Sequence, residues 1–184
     1  REVLAICKAI RAVGTAPDFI VVDGSEGGTG AAPIDFEDHM GMPLTHGLML
    51  MHNALVGTGL RDQIKIGASG KVAGGSDIVM RMIQGADYTN SARAMMMATG
   101  CIQAQRCHTG ECPTGVATQD PRRNRAIVVE DKSKAVYNFQ KTTVNPAVRL
   151  MASMGVSDPS ELPPHMLRRS VSPTESRSYA SIYE

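Results

Sequence analysis

Twice in the first eighty residues, a strand-length apolar run opens into a glycine-rich loop and then into a helical period. The first run is Asp18-Phe19-Ile20-Val21-Val22-Asp23, which empties into Gly24-Ser25-Glu26-Gly27-Gly28-Thr29-Gly30-Ala31-Ala32-Pro33. The second is Gln63-Ile64-Lys65-Ile66-Gly67, followed by a loop that holds Gly70, Gly74 and Gly75. A third, weaker strand over 87–91 leads into an apolar helical stretch, Ala92 to Ala98. Upstream, Val3, Leu4, Ile6, Cys7, Ile10 and Val13 mark a helix that Gly14 stops. A second helix is expected from Pro43 or Leu44 to about Val56, ended by Gly57 and Gly59, and a third over Asp77 to Gln84 with Ser76 as its N-cap.

Alternation of this kind means parallel βα units. The first run has no polar alternation, which suits a strand covered on both faces. Three strands cannot close a barrel. The pattern therefore predicts an α/β fold, the C-terminal portion of a (β/α)₈ barrel whose full length is about 250 residues; a doubly wound sheet is the alternative. Residues 1–120 are expected to form the last βα units, and 121–184 a C-terminal extension. That extension reads as one or two helices over Lys132 to Met154, interrupted at Pro146, and an extended surface strap over Ser157 to Glu184.

Three of the four cysteines lie within twelve residues, Cys101, Cys107 and Cys112, and Pro113 follows the last. Thiolates this dense usually hold a metal, and a proline directly after the final cysteine also occurs in bacterial ferredoxin motifs. Three thiolates suit a [3Fe–4S] cluster, one cysteine per iron. Zinc would need a fourth ligand, for which His108 is the nearest candidate, but zinc motifs favour shorter gaps than those here. Redox-active or inert thiols are the third reading. Cys7, on an apolar helical stripe far upstream, reads as a core thiol.

The glycine loops invite a phosphate. In Ser69-Gly70-Lys71-Val72-Ala73-Gly74-Gly75-Ser76-Asp77, glycines let backbone N–H groups approach phosphate oxygens, and the helix that follows adds its positive end. Asn90, Ser91 and Ala92, at the next strand end, would complete the cradle. Tight βα turns need glycine as well. Composition narrows the partners: net charge is +1, aromatic residues are 4% with no tryptophan, and no apolar run reaches membrane-spanning length, so neither nucleic acid nor bilayer is expected. Arg122, Arg123 and Arg125 read as solvated surface. The chain opens at Arg1 directly into a helix, which reads as a piece of a longer polypeptide; an oxidation-sensitive cluster would fit the cytoplasm.

Three motifs together resemble the FMN-binding glutamate synthase family: Asp23-Gly24 through Gly30-Ala31-Ala32-Pro33, Gly70-Lys71-Val72-Ala73-Gly74-Gly75, and Cys101, Cys107-His108, Cys112-Pro113-Thr114-Gly115-Val116-Ala117-Thr118-Gln119. The resemblance implies a (β/α)₈ barrel that holds FMN and a [3Fe–4S] cluster and reduces 2-iminoglutarate, from 2-oxoglutarate and ammonia, to glutamate. It places Cys101, Cys107 and Cys112 on the cluster. Ser69, Gly70, Lys71, Gly74, Gly75, Asn90, Ser91 and Ala92 would stand at the FMN phosphate, and Gly24, Gly27 and Gly28 beside the flavin cavity. It also implies an electron donor such as ferredoxin or an NAD(P)H-dependent flavoprotein, and an N-terminal part of the barrel without which this segment is inactive. Ser69 stands where the family's phosphate loop typically has aspartate. Serine and glutamate replace histidine and aspartate at Ser25 and Glu26. These departures open two alternatives, an N-methylglutamate synthase-like subunit or a related flavoprotein acting on another amino or imino acid. A non-enzymatic electron-transfer or zinc scaffold is the remaining one.

Overall fold

Three parallel strands organise the chain, which a computed structural model describes over residues 1–24 and 33–183. β1 (Phe19–Asp23), β2 (Lys65–Ser69) and β3 (Tyr88–Asn90) pair in the order β1-β2-β3. The β1–β2 connection carries α2 (Ile34–His39) and α3 (Leu44–Gly57), and the β2–β3 connection carries α4 (Gly75–Ile83). α1 (Glu2–Val13) precedes β1 and ends at Gly14, whose φ of 74° closes the helix through an N–H bond to the Ile10 carbonyl. Parallel strands with helical crossovers are consistent with a portion of a (β/α)₈ barrel; no complete barrel is present among the described residues.

One core lies between the sheet and helices α1 and α3. It gathers Cys7, Leu44, Leu48, Leu55, Ile64, Ile66 and Ala68, with Ile20 and Val22 of β1 packed against it. Cys7 is thus a core thiol, as its apolar stripe predicts. β1 departs from the expectation of burial on both faces: Phe19 and Val21 are exposed. β1 ends the sheet, and its packed helices lie on one side only. On the open face Phe19 meets Tyr88 edge to face at 6.2 Å, and the Tyr88 ring lies over Gly67, where a Cβ would stand 2.5 Å from it.

The second core joins α4 to α7 (Val129–Ser153) through Val79, Ile83, Ala147, Val156 and Leu162. Here the predicted break at Pro146 does not occur; α7 is one helix of 25 residues with the proline inside it. Proline removes one i→i−4 donor. Burial of Ala147 against α4 holds the helix together across that gap. The site of closest approach is Gly75, where a Cβ would come within 2.4 Å of the Ala147 nitrogen and 2.9 Å of the Pro146 carbonyl carbon.

Other boundaries moved for local reasons. β2 begins two residues later than predicted and runs on through Ala68 and Ser69, residues of low strand propensity that are recruited by pairing with β1. α4 begins at Gly75 with Gly74 as N-cap, so Ser76 lies inside the first turn. The reason is Asp77, whose carboxylate accepts N–H bonds from Ala73 and Gly74 at 3.0 and 2.9 Å. α5 (Arg93–Ala98) forms as expected after β3, whereas α2 and the four-residue α6 (Pro121–Asn124) are too short to announce themselves by periodicity. The extension past 157 is not a plain strap. It holds two 3₁₀ turns, an antiparallel hairpin of β4 (Arg168–Ser170) and β5 (Ser176–Ser178), and α8 (Tyr179–Tyr183), with Leu162 and Tyr179 buried.

At the opposite end of the sheet from the glycine loops, Asp87 accepts from Arg61 at 2.8 Å and from the Ile66 N–H at 2.7 Å. Burial opposes its ionisation, but the Ile66 N–H, Arg61 and Lys65 outweigh that and hold its carboxyl below the usual range. No helix among the described residues is long and apolar enough to cross a membrane.

Gly75→Ala is expected to destabilise the fold by about 1–3 kcal/mol, because its methyl meets α7 backbone rather than a movable side chain. Gly74→Ala, at a φ of −136° with nothing closer than Asp77 Oδ2 at 3.9 Å, should change stability by less than about 1 kcal/mol. Urea unfolding midpoints of the two variants check the contrast.

Candidate functional site

Parallel register brings three polar residues to one edge. Asp23 lies opposite Ser69, and Ser69 opposite Asn90, each the last residue of its strand. The Ser69 hydroxyl donates to Asp23 Oδ2 at 3.3 Å, and the Gly24 N–H donates to the Ser69 carbonyl at 2.9 Å. In barrels this C-terminal edge carries the chemistry. Behind it stands Leu44, the buried first residue of α3. A Cβ at Gly24 would come within 2.4 Å of Leu44 Cβ, and one at Gly70 within 3.3 Å of Leu44 Cδ2. Gly24 is therefore required by packing. Gly27 and Gly28 lie outside the described residues.

The loop from Ser69 to Gly75 turns sharply, with Gly70 at a φ of 146° and Lys71 in the left-handed region at 49°. Ser91 ties it to the next strand end by donating to the Val72 carbonyl at 2.7 Å. Ser69, Gly70, Lys71, Gly74, Gly75, Asn90, Ser91 and Ala92 thus fall on two adjoining strand-to-helix junctions. Asp77, expected as the first residue of the helix, instead caps the N–H groups of Ala73 and Gly74 with its carboxylate. The N–H groups of Gly75 and Ser76, in the first turn of α4, have no intrahelical acceptor and are the donors such an anion would meet. An acidic residue three positions into the helix was the available signal for Asp77.

The cysteines form the second half. After α5, the chain turns at Gly100 and enters a loop in which Gln103 and Gln105 both hold positive φ, 57° and 55°. Two non-glycine residues in that region, two positions apart, store backbone strain of the kind found at functional loops. One consequence is direct: the Gln103 N–H points at Cys101 Sγ, 3.4 Å away. Cys107 opens a 3₁₀ turn that Gly110 closes. Cys112 is buried under a thin cover of its own loop. Burial raises its pKa, but the Thr114 hydroxyl at 3.4 Å and the N–H groups of Ala117, Thr114 and Val116 outweigh it and bring the thiol down to about 7 from 9.0. Thr114 and the turn after Pro113 were not singled out from the sequence as sulfur partners.

Cys101, Cys107 and Cys112 line one pocket, together with Met96, Ile102 and Pro113. No three His, Cys, Asp or Glu side chains among the described residues converge tightly enough to hold a single metal ion. A tetrahedral zinc site needs its sulfurs about 2.3 Å from one centre. His108 does not line this pocket. The three thiols that line this recess supply the number of sulfur donors a [3Fe–4S] cluster would need, one per iron. Sulfur already accepting N–H bonds is also the pattern that stabilises anionic thiolate ligands.

Residues 3–157 match the family described as the conserved region in glutamate synthase. The glutamate synthase large subunit-like protein YerD of Bacillus subtilis (strain 168) is 43% identical over 146 residues, which cover 79% of this chain and 28% of YerD. An archaeal NADPH glutamate synthase of Methanocaldococcus jannaschii is 36% identical over 140 residues, 76% of this chain and 28% of that one. A ferredoxin-dependent glutamate synthase of Pyropia yezoensis is 38% identical over 138 residues, 75% and 9%. The chain therefore spans less than a third of each relative. Among solved structures, the A198G:L230A mutant of flavocytochrome b2 with pyruvate bound superposes with a TM-score of 0.52 over 88% of this chain and 31% of that one, at 13% identity. That likeness is one of fold.

Thr114→Val should raise the Cys112 pKa from about 7 toward 9, since a donor to the thiolate is lost while the burial remains. The pH profile of alkylation at Cys112, followed by peptide mass spectrometry on metal-free protein, reads the shift; an unchanged midpoint would mean that the backbone N–H groups alone hold the thiolate.

Proposed function

The chain belongs to the glutamate synthase family, and from that premise we propose that the polypeptide carrying it is a glutamate synthase-type oxidoreductase with FMN and a [3Fe–4S] cluster as its cofactors. The observation that carries this reading is the single pocket shared by Cys101, Cys107 and Cys112 within the matched region. When bound, the cluster supplies single electrons and FMN delivers them in pairs as hydride to the imine carbon of 2-iminoglutarate, which forms from 2-oxoglutarate and ammonia.

This chain's own residues would hold and shield those groups. The three cysteines each ligate one iron, and the N–H groups around Cys101 and Cys112 stabilise their sulfurs as anions. Gly70, Gly74 and Gly75, with the first turn of α4, hold the FMN phosphate, while Ser69, Lys71, Asn90, Ser91 and Ala92 complete its surround. Gly24 stands beside the adjoining flavin cavity. Residues 1–120 act as the last βα units of an FMN barrel, and 121–184 as the extension that packs on α4. The remaining barrel strands come from elsewhere in the longer polypeptide, and the reductant is ferredoxin or an NAD(P)H-dependent flavoprotein.

The test is made on the full-length protein, purified without oxygen and assayed for iron, acid-labile sulfide and FMN. Three irons and one FMN per polypeptide are expected. Cys107→Ser should lose most of the iron and retain FMN. Gly74→Asp should do the reverse, weakening FMN by at least tenfold through a second carboxylate beside Asp77 at the phosphate. A wild-type protein that stays free of iron and flavin after reconstitution would overturn the reading.

A further inference from the structure

One side-chain hydroxyl reaches into the sulfur surround of the pocket. Thr114 Oγ1 stands 3.4 Å from Cys112 Sγ, and both residues line the recess that Cys101 and Cys107 share. Against a thiolate only the hydroxyl has a proton to give, so Thr114 donates and the sulfur accepts. Cys112 also accepts from the N–H groups of Thr114, Val116 and Ala117, and Cys101 from the N–H of Gln103. Of these donors the Thr114 hydroxyl alone belongs to a side chain. Cys112 is 6% exposed, so little water competes for its sulfur and each bond to it counts for more than at the surface.

The turn that carries Thr114 is fastened on two sides. Gly115, at a φ of 78°, lies so close to α6 that a Cβ there would stand 2.4 Å from the Arg123 carbonyl oxygen. Arg123 in turn donates to the Glu111 carbonyl at 3.3 Å, beside Cys112. On the other side the Thr118 hydroxyl donates to the Gly110 carbonyl and accepts from the Asp120 N–H at 3.1 Å. The Thr114 hydroxyl is therefore set in place by the fold of the loop before any ligand arrives.

We propose that Thr114 is a positioning residue that sets the reduction potential of the iron–sulfur site, acting through the hydrogen bond from its hydroxyl to the Cys112 sulfur. The inference rests on the cofactor reading above and concerns how readily that site accepts an electron. Accepting one electron adds one negative charge, shared among iron and sulfur. A proton aimed at a ligating sulfur is held more strongly once that charge has arrived, so the donor favours the reduced form and raises the potential. Backbone donors act in the same sense, but they are present whatever residue stands at their position. The hydroxyl is the part of this surround that a single substitution adds or removes.

The experiment uses the full-length holoprotein, purified without oxygen. Dithionite supplies one electron per cluster through dye mediators, and the paramagnetic resonance signal of the oxidised cluster is followed against potential. Iron and sulfide are measured in every sample. Thr114→Val keeps the shape and removes the donor. At a fixed potential its oxidised-to-reduced ratio should rise about three- to tenfold, which lowers the midpoint by up to about 59 mV for a one-electron couple. Thr114→Ala, which leaves room around the sulfur, should shift the midpoint the same way, and Thr114→Ser should keep the wild-type value. Equal midpoints in wild type and the two donor-less variants, or a Thr114→Ser midpoint equal to that of Thr114→Val, would overturn the role of Thr114 and leave the cofactor assignment standing. So would failure of both donor-less variants to hold three irons, since the hydroxyl would then serve assembly and not potential. A wild type devoid of iron after reconstitution would overturn both.

Discussion

Backbone pairing among three parallel strands decides where every other feature lies. The register runs unbroken from Phe19 opposite Lys65 to Asp23 opposite Ser69, and on to Asn90. Because the strands end level, their following loops leave from one edge and can act on one ligand. An offset of one pair would carry the Ser69 hydroxyl away from Asp23 and turn alternate side chains to the other face. The opposite edge is pinned by Asp87, which binds the backbone of β2 through the Ile66 N–H and reaches Arg61 and Lys65 as well. One end of the sheet is thus held by satisfied charge, and the other is left for loops.

Those loops are set by close packing of backbone. Leu44, buried at the start of α3, lies under both Gly24 and Gly70, so the two loops share one support. Gly75 lets α4 lie directly on α7 at the point where Pro146 has removed a helical hydrogen bond. α7 thus fixes the start of α4 in place from the outer layer.

The cysteine loop works by a different principle. Its chain is held in strained conformations at Gln103 and Gln105, and the strain is offset by bonds that aim N–H groups at sulfur. At Cys112 four donors together overcome the cost of burying a thiolate. These short-range donors favour anionic sulfur.

Much of this was readable from residue order. Alternating apolar runs and glycine loops specified parallel βα units, because the crossover needs a helix and the loops need glycine. The clustering of three cysteines in twelve residues pointed to a shared recess, and all three line one. The motifs around them specified the family. Sequence could not show that α7 runs through Pro146, since the contact that holds it comes from Gly75, about seventy residues away. Nor could it show that Asp77 rather than Ser76 caps α4, that Thr114 completes the sulfur environment of Cys112, or that Arg123 reaches the Glu111 carbonyl beside Cys112. Each of these is a meeting of groups separated along the chain or turned by backbone angles, and only folding brings such groups within reach of one another.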